Sequence, residues 1–258
     1  MTIDNEELEF QKMLCDNYNN SKGTLNELDC PICKNKGFIR RLKIENDKIY
    51  DFVEKCVCMS KRVIIRNARN SGLGDYINKK FEDYNIEFEW QRQVKLKAIE
   101  YCKNFDGKKW FTILGQSGGG KTLIACIISN YILLKANKVV KYVVWTDFIS
   151  KIKRDLMTGE SNNINQTSEY LEEIKNVEVL FLDELLKKYT EADLKYIIEI
   201  INYRYTNNLT TIITSENSLQ KLIDIDEATA SRIVEKSKDC LFEIEKNKEF
   251  NYRIKQLL

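Results

Sequence analysis

Residues 110–134 read Trp-Phe-Thr-Ile-Leu-Gly-Gln-Ser-Gly-Gly-Gly-Lys-Thr-Leu-Ile-Ala-Cys-Ile-Ile-Ser-Asn-Tyr-Ile-Leu-Leu. At the centre lies the phosphate-binding pattern G-x-x-x-x-G-K-T, formed by Gly115, Gln116, Ser117, Gly118, Gly119, Gly120, Lys121 and Thr122. Its glycines let successive backbone N–H groups turn toward anionic oxygens. The pattern assigns Lys121 to the β- and γ-phosphates of a nucleoside triphosphate and the Thr122 hydroxyl to Mg²⁺. The flanks fit. A short β-prone apolar run enters the loop and a long apolar helical run leaves it, so a helix N-terminus adds its partial positive charge at the same point.

Outward from the loop, helix and strand alternate. The patterning predicts helices near 91–105, 121–136, 146–157, 190–207 and 218–237, and strands at 110–114, 139–145, 177–183, 210–214 and 239–244. Residues 159–168 read as a polar loop without pattern, with a short helix before 176. Alternation with near-continuous apolar strands predicts an α/β fold: a five-stranded, mainly parallel sheet covered on both faces.

The strand Val179-Leu-Phe-Leu-Asp183 ends in two acids, Asp183 and Glu184. A buried parallel strand delivers such acids to the sheet edge where the phosphate loop opens. There Asp183 would hold a Mg²⁺-bound water and Glu184 would polarise the water that attacks the γ-phosphate. The spacing fits ATPases that insert a strand between the phosphate-loop strand and the acid-bearing strand. The next strand ends Thr214-Ser215-Glu216-Asn217. Glu216 or Asn217 is a candidate to touch the γ-phosphate, and Ser215 or Asn217 equally a candidate helix cap. Arg232 follows too closely to fold back easily onto its own phosphate, so its expected place is a neighbouring subunit's nucleotide, where a cation offsets charge on the transferred group.

The composition narrows the chemistry. The chain has 258 residues, 43% hydrophobic, with a net charge of +2. No apolar stretch approaches a membrane span and the N-terminus is not signal-like, so a soluble, cytoplasmic protein is expected. There is no His, so acid–base work falls to carboxylates and any transition-metal site to thiolates. Among 8 Cys, Cys30-Pro-Ile-Cys33 and Cys56-Val-Cys58 supply four thiolates around a hairpin-like segment. That set suits a closed tetrahedral structural Zn²⁺ site, which would stabilise a module too small to fold by its own core. The others, Cys15, Cys102, Cys126 and Cys240, read as packing residues.

Charge is uneven. Residues 1–29 carry seven acids and two lysines, and residues 34–70 carry eleven Lys/Arg and four acids. Arg40, Arg41, Lys61, Arg62, Arg66 and Arg69 are candidate phosphate contacts, with Phe38, Tyr50 and Phe52 as candidate stacking platforms for single-stranded nucleic acid. The expected organisation is an acidic arm or small helix over 1–28, a zinc module with a basic helix over 29–70, an aromatic linker over 71–90 and an ATPase domain over 91–258.

In order and spacing, the C-P-I-C with C-V-C, the S-G-L at 71–73, G-Q-S-G-G-G-K-T, L-F-L-D-E-L-L-K, the run I-I-E-I-I-N-Y-R-Y-T-N-N into T-I-I-T-S-E-N, and I-D-E-A-T-A-S-R-I resemble the DnaC/DnaI-type helicase loaders of bacteria and phages. The resemblance covers about residues 29–240. It implies a P-loop ATPase of AAA+ (ASCE) type that binds ATP and Mg²⁺, forms a homo-oligomer with ATP at subunit interfaces and contacts single-stranded DNA. It implies a zinc module that docks on a hexameric replicative helicase. Lys121, Thr122, Asp183 and Glu184 match the family's nucleotide site, and Arg232 its arginine finger. Many loaders carry Asp-Asp where this chain has Asp183-Glu184, and Asn where it has Glu216. Some forty residues follow the T-S-E-N segment, so the full helical lid is expected to be absent. Two other readings compete: a transposition helper ATPase of IstB type, which shares the core, and a small-molecule phosphotransferase, whose Arg-rich lid residues 157–172 do not supply.

Overall fold

Acidic residues open the first helix, and a cysteine opens the second. A computed structural model of the protein describes residues 5–26, 28–45, 48–158 and 161–255. Residues 1–4 and 27 of the acidic arm lie outside the described residues, as does Gly159. The chain divides into two units, residues 1–66 and 67–258.

In the first unit, α1 (Asn5–Asn20) is followed by the antiparallel strands β1 (Phe38–Glu45) and β2 (Lys48–Lys55) and by α2 (Cys58–Asn70), within which the division falls. The acidic arm is thus a helix of four and a half turns. Glu6 and Glu7 lie at the positive end of its dipole. Its far end docks on the hairpin: the Asn19 amide donates to the Arg40 carbonyl at 2.9 Å and accepts from the Arg40 N–H at 3.0 Å. Asn19 satisfies backbone groups that a two-stranded sheet leaves open at its edge. Cys15 donates to the same carbonyl at 3.0 Å, a hydrogen-bonding role beyond simple packing. Across the strands, Arg40 forks onto Asp51 and Arg41 pairs with Glu54 at 2.6 Å.

The second unit holds α3 (Glu89–Lys103), β3 (Phe111–Gly115), α4 (Lys121–Lys135), β4 (Val140–Val144), α5 (Trp145–Thr158), α6 (Ser161–Asn176), β5 (Val179–Asp183), α7 (Glu191–Thr206), β6 (Thr210–Thr214), α8 (Leu219–Ile225), α9 (Glu227–Ser237), β7 (Leu241–Ile244) and α10 (Tyr252–Lys255). The sheet order is β4-β5-β6-β3-β7, and every pairing is parallel. The expected five-stranded α/β sheet is present. Each residue of β3, β5 and β6 is buried, as the unbroken apolar runs require of strands covered on both faces. Trp110, Trp145, Phe148, Leu180, Ile197 and Ile213 anchor the main core. Between β3 and β5 in space lies β6, whereas β4, which separates them in sequence, sits at the sheet edge.

Three sequence expectations need correction. The polar stretch read as a loop over 159–168 runs into α6, a full helix. Its apolar anchors Tyr170, Leu171 and Ile174 lie in the second half, leaving the Asn/Ser-rich first half without a periodic signal. The single helix expected over 218–237 breaks at Asp226, whose extended backbone and side chain, accepting from Thr229 N–H at 2.7 Å, cap α9. The segment 71–90 is more than a linker. Tyr142 N–H of edge strand β4 donates to the Ser71 carbonyl at 2.7 Å, and the Asn130 amide of α4 holds the Tyr76 and Lys79 carbonyls. Leu73 and Tyr84 are buried. Among the described residues, a four-residue helix and one short turn follow β7, so no helical lid is present there, and no helix is long and apolar enough to cross a membrane.

Candidate functional site

The C-terminal ends of β3, β5 and β6 converge on a cavity of about 340 Å³. Adjacent parallel strands end at one edge, so the topology brings the phosphate loop, the acid pair and the 214–217 segment together. The cavity is lined by Ser117 to Thr122 of the loop, by Asp183 and Glu184, and by Thr214, Ser215 and Glu216.

Gly115 leaves β3 at φ +102°, and a Cβ there would lie 2.1 Å from the Ile244 carbonyl oxygen of β7. Only glycine permits that turn and that strand spacing. Lys121 opens α4 and is 8% exposed. Its ammonium folds back onto the Gly115 and Gln116 carbonyls at 2.8 and 2.6 Å. Burial pushes its pKa down to about 8, and the negative charges of Glu216, Asp183 and Glu184 oppose that shift.

Asp183 is buried and accepts from three hydroxyls on three elements. Thr122 of α4 donates at 2.9 and 3.2 Å, Tyr142 of β4 at 2.9 Å, and Thr214 of β6 through a short bond. Burial and the Asp183 charge both push the Tyr142 phenol up. A carboxylate 2.9 Å from a hydroxyl beside the phosphate loop is a donor set of hard oxygens suited to Mg²⁺.

Glu184 follows at φ +56° and Leu186 at the same value. The turn they make is stitched to the end of β6. Leu185 N–H donates to the Thr214 carbonyl at 2.8 Å, Ser215 Oγ to the Leu185 carbonyl at 2.6 Å, and the Asn217 amide to the Leu186 carbonyl at 3.0 Å. Neither Ser215 nor Asn217 caps the next helix: Ser218 caps α8, accepting from Lys221 N–H at 3.2 Å. Of the two candidate phosphate contacts, Glu216 lines the cavity and the Asn217 amide is committed to Leu186. Lys187, overlooked in the sequence, pairs with Glu184 at 2.7 Å and with Glu216 at 3.2 Å.

The remaining wall comes from both flanks of the sheet domain. Tyr76, Asp83, Tyr84, Asn85 and Gln91 precede it, and Tyr252 and Arg253 follow it. A strap over 247–253 crosses the phosphate loop. Gln116 donates to the Asn247 carbonyl at 2.7 Å and accepts its N–H at 2.8 Å, and Tyr252 N–H donates to the Gly118 carbonyl at 3.0 Å. A Cβ on Gly118 would lie 2.0 Å from Asn251 Oδ1, so this glycine admits the strap. Phe250 packs between Phe88 and Trp90, with ring centroids at 4.6 and 5.6 Å. The aromatic run 76–90 was the one sequence signal for this wall.

Arg232 is not brought to these residues. On α9 its guanidinium donates to the Ala228 carbonyl at 2.9 Å and lies 5.7 Å from the centre of the Tyr205 ring.

In the first unit, Cys30, Cys33, Cys56 and Cys58 come together from a turn, the end of β2 and the start of α2. All four are buried and their sulfurs lie within 4.8 Å of one another. The Cys30–Cys56 and Cys33–Cys58 separations are 3.8 and 3.5 Å. A tetrahedral Zn²⁺ with ~2.3 Å bonds spaces its sulfurs at about 3.8 Å. The cluster therefore fits the ion. Burial disfavours the Cys33 thiolate, but hydrogen bonds from Gly37 N–H and the neighbouring cysteines outweigh it and pull that thiol down. Arg62, read from sequence as a phosphate contact, is fully buried here and donates to the Leu28 carbonyl and to Asn35 Oδ1.

Residues 52–244 match the family described as IstB-like ATP binding protein. The YqaM protein of Bacillus subtilis is 24% identical over 88% of this chain and 86% of its own. The replicative helicase loader DnaC of Escherichia coli K12 is 28% identical over 56% of this chain and 58% of its own. Among solved structures, the DnaC helicase loader superposes with a TM-score of 0.57 at 26% identity, covering 67% of this chain and 99% of that one. A parallel β4-β5-β6-β3-β7 sheet, a phosphate loop meeting an acid pair at one edge and these matches agree: the chain belongs to the IstB-like ATP-binding protein family, as a DnaC-like AAA+ protein.

Proposed function

We propose that this protein is an ATP-dependent loader of a replicative DNA helicase. The observation that carries the reading is the meeting of Lys121, Thr122, Asp183, Glu184 and Glu216 around one cavity, in a chain that also bears a four-cysteine unit. Bound ATP with Mg²⁺ would supply the scissile phosphoanhydride and the divalent charge that steadies its oxygens. The loop N–H groups and Lys121 would bind and orient the triphosphate, with the ammonium turning away from the Gly115 and Gln116 carbonyls. Thr122 and Asp183 would hold the metal. Glu184 would accept the proton of the attacking water, and Glu216 or Asn217 would sense the γ-phosphate. Tyr84, Tyr252 and Arg253 would wall the nucleotide. Arg232 would complete a neighbour's site, making the active form a homo-oligomer. Zinc on Cys30, Cys33, Cys56 and Cys58 would hold the first unit in shape to dock on the helicase, and the Lys/Arg-rich stretch 34–70 would meet single-stranded DNA.

The test is affinity capture of the hexameric helicase by the purified protein, with and without ATP. Capture that strengthens with ATP is expected, and its absence in both conditions would overturn the reading. A second reading, a transposition helper ATPase, is favoured by the IstB-like description of the matching family. In the same assay it requires capture of a transposase instead.

A further inference from the structure

Of the four acids that line the cavity, Asp83, Asp183, Glu184 and Glu216, Lys187 is ion-paired to two, Glu184 and Glu216. Its ammonium lies 2.7 Å from Glu184 Oε1 and 3.2 Å from Glu216 Oε1. The turn that carries it is held in an unusual shape. Glu184 and Leu186 both sit at φ +56°, a region that costs a side-chain-bearing residue energy. The bonds from Ser215 and Asn217 to the Leu185 and Leu186 carbonyls keep it there. A turn overdetermined in this way aims Lys187 back at Glu184 three residues earlier, and its N–H donates to the Glu184 carbonyl at 3.1 Å. A general base must offer its oxygen to the water it deprotonates. A carboxylate engaged in a short charge-assisted bond to an ammonium offers that oxygen to the cation instead.

We infer that Lys187 is a positioning residue that restrains Glu184, shared with Glu216, and so keeps basal hydrolysis slow. The inference rests on the reading of Glu184 as the base. An isolated surface pair would carry little energy. This one matters through direction, because it decides where the base points, and it opens only when something moves the turn or the 214–217 segment to which the turn is tied.

Zero-length carbodiimide cross-linking of the whole protein, followed by mass spectrometry, reads the contact without catalysis. A Lys187–Glu216 or Lys187–Glu184 link is expected with and without a non-hydrolysable ATP analogue, and its absence from the nucleotide-free protein overturns the proposal. In steady-state assays Lys187→Ala and Lys187→Gln are each expected to raise basal kcat about fivefold while fluorescent-ATP affinity stays within about twofold. Lys187→Arg should restore the slow rate. Turnover at or below wild type in both neutral variants overturns the proposal, and the Gln variant guards against a folding defect in the other. The double variant Glu184→Gln with Lys187→Ala must be as inactive as Glu184→Gln alone. A gain that survives loss of Glu184 refutes the restraint, whereas full activity of Glu184→Gln by itself refutes the base assignment.

Discussion

Lys121 shows how far a single residue's surroundings set its chemistry. It is 8% exposed and burial brings its pKa to about 8. The unfolded and nucleotide-bound forms favour the ammonium, the latter because phosphate charge sits on it. Above pH 8 the free protein therefore loses a proton that binding must restore. On the proposed reading, affinity for ATP should be flat below about pH 8 and fall by up to about tenfold per pH unit above it, with one proton taken up. Calorimetry in buffers of different ionisation enthalpy measures this, and a flat affinity from pH 7 to 9.5 would contradict it. Asp183 presents the complementary case. Three hydroxyls donate to it, and two come from Tyr142 and Thr214, which lie outside both the phosphate loop and the acid pair. Their elements lie 41 and 31 positions away, so no local pattern announces them.

At the scale of elements, the four cysteines join the turn before β1, the end of β2 and the start of α2. The hairpin is short and much of it is exposed, including Phe38, Ile44, Tyr50, Phe52 and Val53. With so little apolar core, a metal on the thiolates would account for most of the unit's stability, and structural zinc contributes on the order of 10 kcal/mol in small modules. Cys30→Ser is expected to lose zinc by elemental analysis and to expose residues 1–66 to trypsin. ATP binding by the second unit should change less than about twofold. Retained protease resistance after zinc loss would remove the metal's assigned role, and retained helicase capture would remove the docking role. The same scale explains the misread helix α6. Its second half carries the apolar anchors, and a polar first half has helical shape only because the rest of the helix packs.

For the whole molecule, the question is whether one chain completes its own site. Arg232 stands on α9 over Tyr205, away from the cavity-lining residues. If it serves a neighbour, Arg232→Ala should bind ATP normally yet lose at least tenfold in kcat. Wild-type turnover per subunit should rise with protein concentration. Mixing Arg232→Ala with Glu184→Gln should recover part of the activity, because mixed interfaces pair an intact base with an intact arginine. Concentration-independent turnover with an unaffected Arg232 variant would make each subunit self-sufficient and favour a small phosphotransferase.

The chain's order of residues announced the phosphate loop, the acid pair, the parallel sheet and the two cysteine pairs, because each shows a short local pattern: a glycine-rich loop, apolar runs alternating with helices, or two thiols close in sequence. The loop's glycines and Lys121 are adjacent, and the acids end an apolar run that can only be a buried strand. What tertiary structure alone decided is who shares the cavity with them. Packing put Glu216 on the cavity wall, tied the Asn217 amide to Leu186, turned Arg62 inward and placed Lys187 on Glu184. It also drew the 71–90 segment and the strap at 247–253 across the loop, through pairs such as Gln116 and Asn247 that are 131 residues apart. Such contacts arise from strand order and helix placement, which set distances between distant residues without leaving a repeat or spacing for a sequence to display.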